Sequence, residues 1–282
     1  MDVKTQSLGA APPAAAGARA GEAPDASWGG FGWFLVKLLI AVLAFRTLVF
    51  APFTIPSESM LPGLMNGDYL IAAKWPYGIS RRSLPFDLPL PEGRLLPASP
   101  RRGDVVIFQH PVDGRDYIKR VIGLPGDRVA VIGGQVVLNG ARVPRTRIDD
   151  ALVPLSPNTG CAWGGDMART GEGGEACAYP RYRETLPEGR SYDVLDFGTT
   201  PADSFAEVVV PPGRLFVMGD NRDSSLDSRF PAEAGQGVGM VAEDLLVGRA
   251  ALIVWSTDGS ATWTNPLSWF AAARWERIGD LL

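Results

Sequence analysis

The sequence predicts a mainly β protein that carries one apolar helix near its N-terminus. The 282 residues include 33 glycines and 24 prolines, a content that favours many turns, short strands and long loops. Short runs of β-branched and apolar residues lie between these turn signals, for example at residues 105–108 and 129–132. One longer apolar segment, residues 32–51, precedes all of these runs and has the composition of a helix.

Composition and charge narrow the classes of function. Hydrophobic residues make up 46% of the chain and charged residues 21%, as in an ordinary globular protein with one large domain or two modest ones. The net charge of −4 gives no reason to expect a nucleic-acid partner, because such proteins usually carry a basic surface. No CxxC motif or Cys/His cluster with zinc spacing occurs, and we expect neither a metal nor a cofactor.

The N-terminal region has two parts. Residues 1–31 are rich in Ala, Gly and Pro, and this composition predicts a disordered tail because it cannot bury enough apolar surface. Residues 33–51, as a helix, would rise about 28 Å, which is close to the thickness of the hydrocarbon layer. Lys37 and Arg46 lie toward the ends of the segment, where long side chains can reach the membrane interface. Residues 32–51 are therefore predicted to form a membrane anchor.

Two other interpretations of this segment exist: a buried helix of a soluble domain, and a cleaved secretory signal. Small residues near Ala51 resemble a cleavage site, but Pro52 would follow the scissile bond and a 31-residue tail is long for a signal peptide. We therefore expect an uncleaved anchor. Counts of basic residues do not decide its orientation, because the tail contains only Lys4 and Arg19.

The region after the anchor is predicted from turn and strand signals. The expected strands are residues 104–108, 117–122, 129–132, 136–138, 215–218 and 250–255. The third and fourth are joined by residues 133–135 and predict a β-hairpin. Residues 141–205 are mostly polar and predict a loop-like insertion. Residues 269–278 predict a short amphipathic helix, for which contact with a membrane surface and packing against the domain are equally open.

The two cysteines, Cys161 and Cys177, both lie in the polar insertion. They could form a disulfide that closes a surface loop, which requires an oxidising compartment, or they could be two unrelated free thiols. The membrane segment favours the disulfide.

Amide hydrolysis by a hydroxyl requires a base beside the nucleophile. His110 is the only histidine, but a lone histidine at a strand end before proline is expected to be an ordinary exposed residue, and no GxSxG motif accompanies it. A lysine can act as the base if burial lowers its pKa. Lys119 lies in an apolar strand and fits this requirement, although strand alternation would also allow it to face solvent.

Four segments together resemble the conserved boxes of bacterial type I signal peptidases. They are FTIPSESMLPGL at residues 53–64, RGDVV at 102–106, DYIKRVIGLPGD at 116–127 and GDNRDSSLDSR at 219–229. All four occur in the family order behind an apolar segment. Any one of them alone would be a weak signal, but the set is specific.

The resemblance implies roles for individual residues. Ser59 would be the nucleophile and Lys119 the neutral general base. Ser57 would donate its hydroxyl to the oxyanion, and Ser225 would orient the lysine amine. The resemblance also implies a supporting ion pair of Asp227 with Arg229, a structural role for Arg120, and shallow apolar pockets for small substrate side chains formed by Phe53, Ile55, Pro56, Met60, Leu64, Tyr117 and Ile118.

The resemblance also implies the architecture and the setting. The fold would be an antiparallel β catalytic core, residues 52–127 and 213–282, with a smaller β subdomain inserted at about 128–212. The activity would be that of a single-pass enzyme of the bacterial plasma membrane that removes Ala-x-Ala-type signal peptides from exported preproteins on the periplasmic side. Its partners would be these signal peptides and membrane lipid, with the translocation machinery as a further candidate.

Two alternatives for the function stay open. The first is a related Ser–Lys peptidase dedicated to one substrate, as in the maturation of a pilus or of a conjugation system. The second is a membrane-tethered binding protein without catalysis, which the presence of both Ser59 and Lys119 disfavours. Gly63 and Glu58 depart from the family pattern of Thr and Gly at these positions, which affects the expected pocket shape but replaces no reacting group. The acidic residues Asp220, Asp223 and Asp227 do not have the spacing of a calcium-binding loop.

Overall fold

The computed structural model describes residues 28–48, 50–80, 93–171 and 173–282. These residues form two compact units that divide between Val42 and Leu43. The larger unit is built almost entirely from antiparallel strands, which confirms the mainly β prediction. Most of the tail predicted at residues 1–31 lies outside the described residues.

Helix α1 (Trp28–Leu48) contains most of the segment predicted as the anchor. The helix begins four residues before the start of the predicted segment, at Trp28. It ends three residues before the end of that segment, at Leu48, because Phe50 already pairs with Ala73 in a sheet. Exposed apolar side chains follow one another along it with no polar face: Phe31, Trp33, Phe34, Leu35, Val36, Leu38, Leu39, Ile40, Val42 and Leu43. Over the described part of the chain, no helix combines the length and the apolar character that crossing a bilayer requires.

The described residues form seventeen strands. In chain order these are β1 (Phe50–Thr54), β2 (Asp68–Ala73), β3 (Ile79–Ser80), β4 (Arg94–Leu95), β5 (Val105–Gln109), β6 (Asp116–Gly123), β7 (Arg128–Ile132), β8 (Gln135–Leu138), β9 (Ala141–Arg142), β10 (Arg145–Pro154), β11 (Asp166–Arg169), β12 (Glu175–Thr185), β13 (Ser191–Leu195), β14 (Ser204–Val209), β15 (Arg214–Met218), β16 (Val241–Ala242) and β17 (Leu246–Ser256).

The largest sheet has seven strands in the order β1-β2-β17-β5-β6-β15-β16, and all neighbours are antiparallel. Strands β5 and β6 lie side by side near its centre and are buried along most of their length. The connection from β6 to β15 leaves this sheet and returns to it. The sheet therefore combines residues from both ends of the larger unit.

The connection between β6 and β15 contains two further sheets. One has the order β14-β7-β8-β9, and in the other β12 pairs with β10 on one edge and with β11 and β13 on the opposite edge. The expectation of a loop-like segment at residues 141–205 is therefore wrong, because β10 and β12 have ten and eleven residues. Many of their polar side chains are exposed or half-buried, while small and aromatic residues such as Ala151 and Tyr179 are buried, as is the Glu184 carboxylate.

The predicted hairpin is confirmed. Strands β7 and β8 pair antiparallel from Val129↔Leu138 to Ile132↔Gln135. The turn consists of Gly133 and Gly134 alone, with φ angles of 60° and 73°. Both angles lie in the left-handed region, which a tight two-residue hairpin turn requires and which glycine adopts without strain.

The predicted amphipathic helix at residues 269–278 is wrong in form. The structure has a short helix α2 (Leu267–Ala271) and a separate 3₁₀ turn (Trp275–Arg277). The helix stops because Ala273 forms a bridge with Thr257 and because the Arg274 side chain turns inward, where it donates to Asn66 O at 2.8 Å.

Candidate active site

Ser59 lies in a tight turn that follows strand β1. The turn is closed by a hydrogen bond from Leu61 N to Glu58 O and fastened to the box at 219–229 by Asn221. The Asn221 backbone N–H donates to Ser59 O at 3.1 Å, and its Nδ2 donates to Glu58 O at 3.2 Å. Two segments more than 150 residues apart in the chain therefore fix the position of the serine.

Lys119 lies on strand β6 opposite Val106 of β5, and its side chain is only 4% exposed. Its Nζ donates to Ser59 Oγ at 2.7 Å. Burial lowers the pKa of Lys119 from its ordinary 10.5 to about 8, although the nearby carboxylates of Asp227 and Asp220 oppose this shift. An amine with this pKa is neutral in a large fraction of molecules near pH 8, and a neutral amine can accept a proton.

The other two predicted serines lie beside this pair. Ser57 is exposed, and its Oγ lies 3.5 Å from Ser59 Oγ. The Ser225 hydroxyl is buried and has no partner in good hydrogen-bond geometry, although it interacts with the Asp227 carboxylate. The predicted hydrogen bond from Ser225 to the lysine amine is therefore not formed here.

Gly219 allows the serine-bearing segments to approach each other closely. A Cβ atom at this position would lie 2.3 Å from Ser225 Oγ and 2.5 Å from Ser59 O, and real carbon atoms do not approach other atoms so closely. Any other residue at position 219 would push apart the two segments that carry Ser59 and Ser225.

Asp227 and Arg229 form a fully buried ion pair, with distances of 2.9 Å from Arg229 Nε to Asp227 Oδ1 and from Nη2 to Oδ2. Asp227 Oδ2 also accepts a hydrogen bond from Gly219 N at 3.0 Å. Burial by itself would raise the pKa of Asp227, but the Arg229 guanidinium, the Gly219 N–H group and the Ser225 hydroxyl outweigh it and hold this pKa below its usual value. The pair thus fastens the backbone of Gly219.

Two more arginines hold the same box. Arg120 binds Asp220 through two hydrogen bonds of 2.7 Å and does not contact the serine–lysine pair. Arg222 and Glu184 form a second buried ion pair, with distances of 2.7 and 2.6 Å, that links the box to strand β12. Sequence reasoning missed Glu184, because nothing local in a strand shows which partner a charge will find.

Beside Ser59 and Lys119 lies an open cleft with a volume of about 390 Å³. Five of the seven predicted substrate-binding residues line it: Phe53, Ile55, Pro56, Tyr117 and Ile118. Met60 and Leu64 do not. Both are 1% exposed and pack beneath the cleft against Ile55, Ile107 and Ile118, because the tight turn directs them into the core.

Sequence reasoning missed several residues of the cleft. Arg115 and Asp116 line it at the start of β6, Leu226 lines it from the box at 219–229, and Gln236 lines it from a later loop. The first three adjoin boxes already identified and could have been found from them. Gln236 lies outside every box, and no sequence signal indicates it.

His110 is not exposed, and this expectation is wrong. Its side chain is fully buried, with Nε2 3.1 Å from Gly237 O and Nδ1 3.3 Å from the backbone nitrogens of Val112 and Asp113. The ring closes the turn between β5 and β6, which is why it leaves the surface. Both ring nitrogens bind groups other than Ser59.

Cys161 and Cys177 form a disulfide, with their Cα atoms 5.1 Å apart. Cys177 is fully buried in a cluster that also contains Leu61 and Met65 from the segment just after the nucleophile. The cross-link therefore packs against the active-site turn, although no atom of it reaches Ser59.

A serine hydroxyl that is hydrogen-bonded to a buried lysine amine at the edge of an apolar cleft is an arrangement typical of serine hydrolases. The family model for signal peptidases, described as peptidase S26, matches residues 28–255. Signal peptidase I of Rickettsia prowazekii is 32% identical over 268 residues, which cover 88% of this chain and 91% of that protein. The Rickettsia felis enzyme is 31% identical over 272 residues, with 89% and 90% covered.

The chain belongs to the signal peptidase family, peptidase S26, and is a serine endopeptidase that acts as a signal peptidase. A crystal structure of a signal peptidase I from Enterococcus faecalis overlaps 54% of this chain and 97% of that chain, with 21% identity and a TM-score of 0.29.

Proposed function

We propose that this chain removes signal peptides from exported preproteins by means of a catalytic pair, Ser59 and Lys119, in which the lysine amine is the general base. The 2.7 Å distance between Nζ and Oγ, at a lysine whose pKa is lowered to about 8, carries this proposal. A heavy-atom distance of this length serves proton transfer in either direction.

The reaction follows from these positions. Neutral Lys119 takes the proton of Ser59 Oγ as the oxygen attacks the scissile carbonyl carbon, and the carbonyl oxygen becomes an oxyanion. The Ser57 hydroxyl and the Ser59 N–H are the proposed donors to that oxyanion. The lysine ammonium then protonates the leaving amine, the C–N bond breaks, and an acyl-enzyme remains. Lys119 next takes a proton from a water molecule, which attacks the ester carbon. The C–Oγ bond then breaks, and the lysine ammonium returns its proton to Ser59 Oγ, which releases the acid product and regenerates the free serine and the neutral amine.

Three residues support the base. The Ser225 hydroxyl is buried beside Asp227 with no partner in good hydrogen-bond geometry, and it is available to hold the amine. Asp227 and Arg229 hold Gly219, which in turn keeps the segments of Ser59 and Ser225 close.

Specificity for small side chains, in the Ala-x-Ala pattern, is proposed from the shape of the cleft. Met60 and Leu64 fill the space below it, so its floor is shallow, and its walls are apolar side chains such as Phe53, Ile55 and Ile118. Large side chains would find no depth in such a cleft. Peptides with Leu in place of either Ala should be cleaved poorly.

Attachment to the membrane is proposed from helix α1, whose apolar side chains are exposed in succession over residues 31–43, even though over its described residues this helix does not by itself meet the requirement for crossing a bilayer. The tail would lie in the cytoplasm and residues from 52 onward in the periplasm, since signal peptides are removed after they cross. Protease added to spheroplasts should digest the catalytic region and spare the tail. The opposite pattern would overturn this topology.

Substitutions test the proposed base. Lys119→Met keeps the apolar stem and removes the amine, so kcat should fall on the order of 10⁴-fold or more. Ser59→Ala should have a similar effect, and the double variant should be little worse because the two groups act as a unit. His110→Ala should keep most of kcat. If His110→Ala were inactive while Lys119→Met cleaved, the proposed mechanism would be wrong.

Complementation tests the breadth of the substrate range. The chain should support growth of a bacterial strain whose own signal peptidase is depleted, whereas its Ser59→Ala variant should not. A wild-type chain that cleaves one purified precursor but fails to complement would instead be a dedicated maturation peptidase.

A further inference from the structure

The loop of residues 230–240, between β15 and β16, returns to the cleft and places Gln236 on its wall. Both neighbours of Gln236 are fastened to the turn between β5 and β6. Gly237 O accepts a hydrogen bond from His110 Nε2 at 3.1 Å, and Gly235 N donates to Asp113 Oδ2 at 2.9 Å. The residue that reaches the cleft is therefore held on either side.

The contacts of His110 connect the loop to the turn between β5 and β6. A carbonyl oxygen can only accept, so Nε2 donates the hydrogen bond to Gly237 O. Nδ1 lies 3.3 Å from the backbone nitrogens of Val112 and Asp113 and 3.3 Å from Asp113 Oδ1, so it faces the turn. The ring also packs against Tyr117, another residue of the cleft, with ring centroids 4.7 Å apart.

The loop is also folded tightly on itself. A Cβ at Gly237 would lie 2.4 Å from Pro231 O and 2.5 Å from Phe230 Cβ, so the backbone passes where no side chain fits. Gln236 N donates to Glu233 O at 2.9 Å. The backbone of Gln236 is therefore fixed, while its side chain is exposed toward the cleft.

We propose that Gln236 is a substrate-binding residue whose side-chain amide hydrogen-bonds the main chain of the bound peptide, and that His110 is a positioning residue that holds it there. This inference rests on the proposed peptidase function. An extended peptide in a mostly apolar cleft needs partners for its N–H and C=O groups. A glutamine amide offers two N–H donors and a carbonyl acceptor without charge, which suits substrates whose side chains differ from one preprotein to the next.

The direct test compares two variants of the loop in the full-length protein. Gln236→Ala should raise KM for a signal-peptide substrate about three- to tenfold, the loss of one neutral hydrogen bond, and should leave kcat within about twofold. Glu233→Ala is the matched control, because Glu233 is exposed on the same loop but does not line the cleft. Its KM should be unchanged. An unchanged KM for Gln236→Ala, or an equal rise for Glu233→Ala, would overturn the proposal.

The role of His110 is tested by two further variants. His110→Phe keeps a ring beside Tyr117 and removes the donor to Gly237 O, so KM should rise as for Gln236→Ala. His110→Gln restores a donor and should recover a near-normal KM. Because His110 acts through Gln236, the double variant His110→Phe/Gln236→Ala should have the KM of Gln236→Ala alone. If the increases in KM of the two single variants multiplied in the double variant, the positioning role of His110 would be wrong. If His110→Phe failed to fold, the KM values of His110→Gln and Gln236→Ala would decide whether His110 has this role.

The outcomes separate this inference from the proposed mechanism. If Lys119→Met still cleaved substrate, the catalytic pair would be wrong, whatever the KM of the loop variants. If Ser59→Ala and Lys119→Met were both inactive and Gln236→Ala had an unchanged KM, only the present inference would fail.

Discussion

Replacing Lys119 by Met should stabilise the folded protein while it abolishes catalysis. Burial moves the pKa of this lysine from 10.5 to about 8. Each pH unit of difference between the folded and unfolded pKa is worth about 1.4 kcal/mol. At pH 7, which lies below both pKa values, the buried lysine therefore lowers the free energy of unfolding by about 3 kcal/mol relative to a chain with no titrating amine at position 119.

The sign of the pH dependence follows from the direction of the shift. Because the folded pKa is the lower one, the unfolded chain binds more protons between pH 8 and 10.5, and folding becomes more favourable as the pH rises through this range. The reduction in the free energy of unfolding that the lysine causes has its full size below pH 8 and falls to about 1 kcal/mol at pH 9.5. The Met side chain also forgoes the hydrogen bond to Ser59 Oγ, worth about 1 kcal/mol. The net gain should be about 2 kcal/mol at pH 7 and close to zero at pH 9.5.

The measurement is urea unfolding of the full chain in detergent, followed by tryptophan fluorescence at pH 7 and pH 9.5. Arg115→Met is the matched control, because it removes an exposed positive charge near the same cleft and should change stability by less than about 0.5 kcal/mol at either pH. A Lys119→Met variant that is less stable than wild type at pH 7, or whose gain does not shrink at higher pH, would refute the reasoning.

Three other predictions follow from the site. The kcat/KM profile should rise along an acidic limb with its midpoint near pH 8, because Lys119 must be neutral to act; a midpoint near about 6.5 in kinetic titration would indicate an imidazole instead. Gly219→Ala should lower kcat about a hundredfold, because its Cβ would lie 2.3 and 2.5 Å from two atoms of the site. Gly63→Ala is its control, since a Cβ there meets nothing closer than 3.5 Å, and both are compared by peptide cleavage. Glu184→Gln should lower the free energy of unfolding by about 3–5 kcal/mol in urea titration, because it leaves a buried arginine without its counter-charge.

Local sequence signals were sufficient for the elements that depend on neighbouring residues. The apolar segment predicted a helix, and the pair of glycines between two β-branched runs predicted the β7–β8 hairpin, because a turn of this kind is decided by two φ angles. Local signals missed the strands at residues 141–205, because many of their side chains are polar and the run of apolar residues that marks a strand is absent. These strands form through pairing with one another and through the buried residues of β12.

The candidate groups of the site could be proposed from the sequence, Lys119 from its place in an apolar strand and Ser59 through the resemblance of four segments to a known family. Their arrangement could not. The 2.7 Å contact between Ser59 and Lys119 joins residues 60 positions apart. The burial that lowers the lysine pKa comes from the whole sheet and not from its neighbours in the chain. Spacing along one segment carries no information about such contacts.

What the sequence by itself determined was the β-rich class, the helix near the N-terminus and the hairpin, and it supplied the candidates for the reacting groups. Only the tertiary structure decided that Met60 and Leu64 lie under the cleft instead of lining it, that His110 is buried, and that Gln236 reaches the cleft. The physical reason is the same in each case. Backbone propensity and hydrophobic period are local quantities, whereas the direction of a side chain in a tight turn or loop is decided by packing against segments that are distant in sequence.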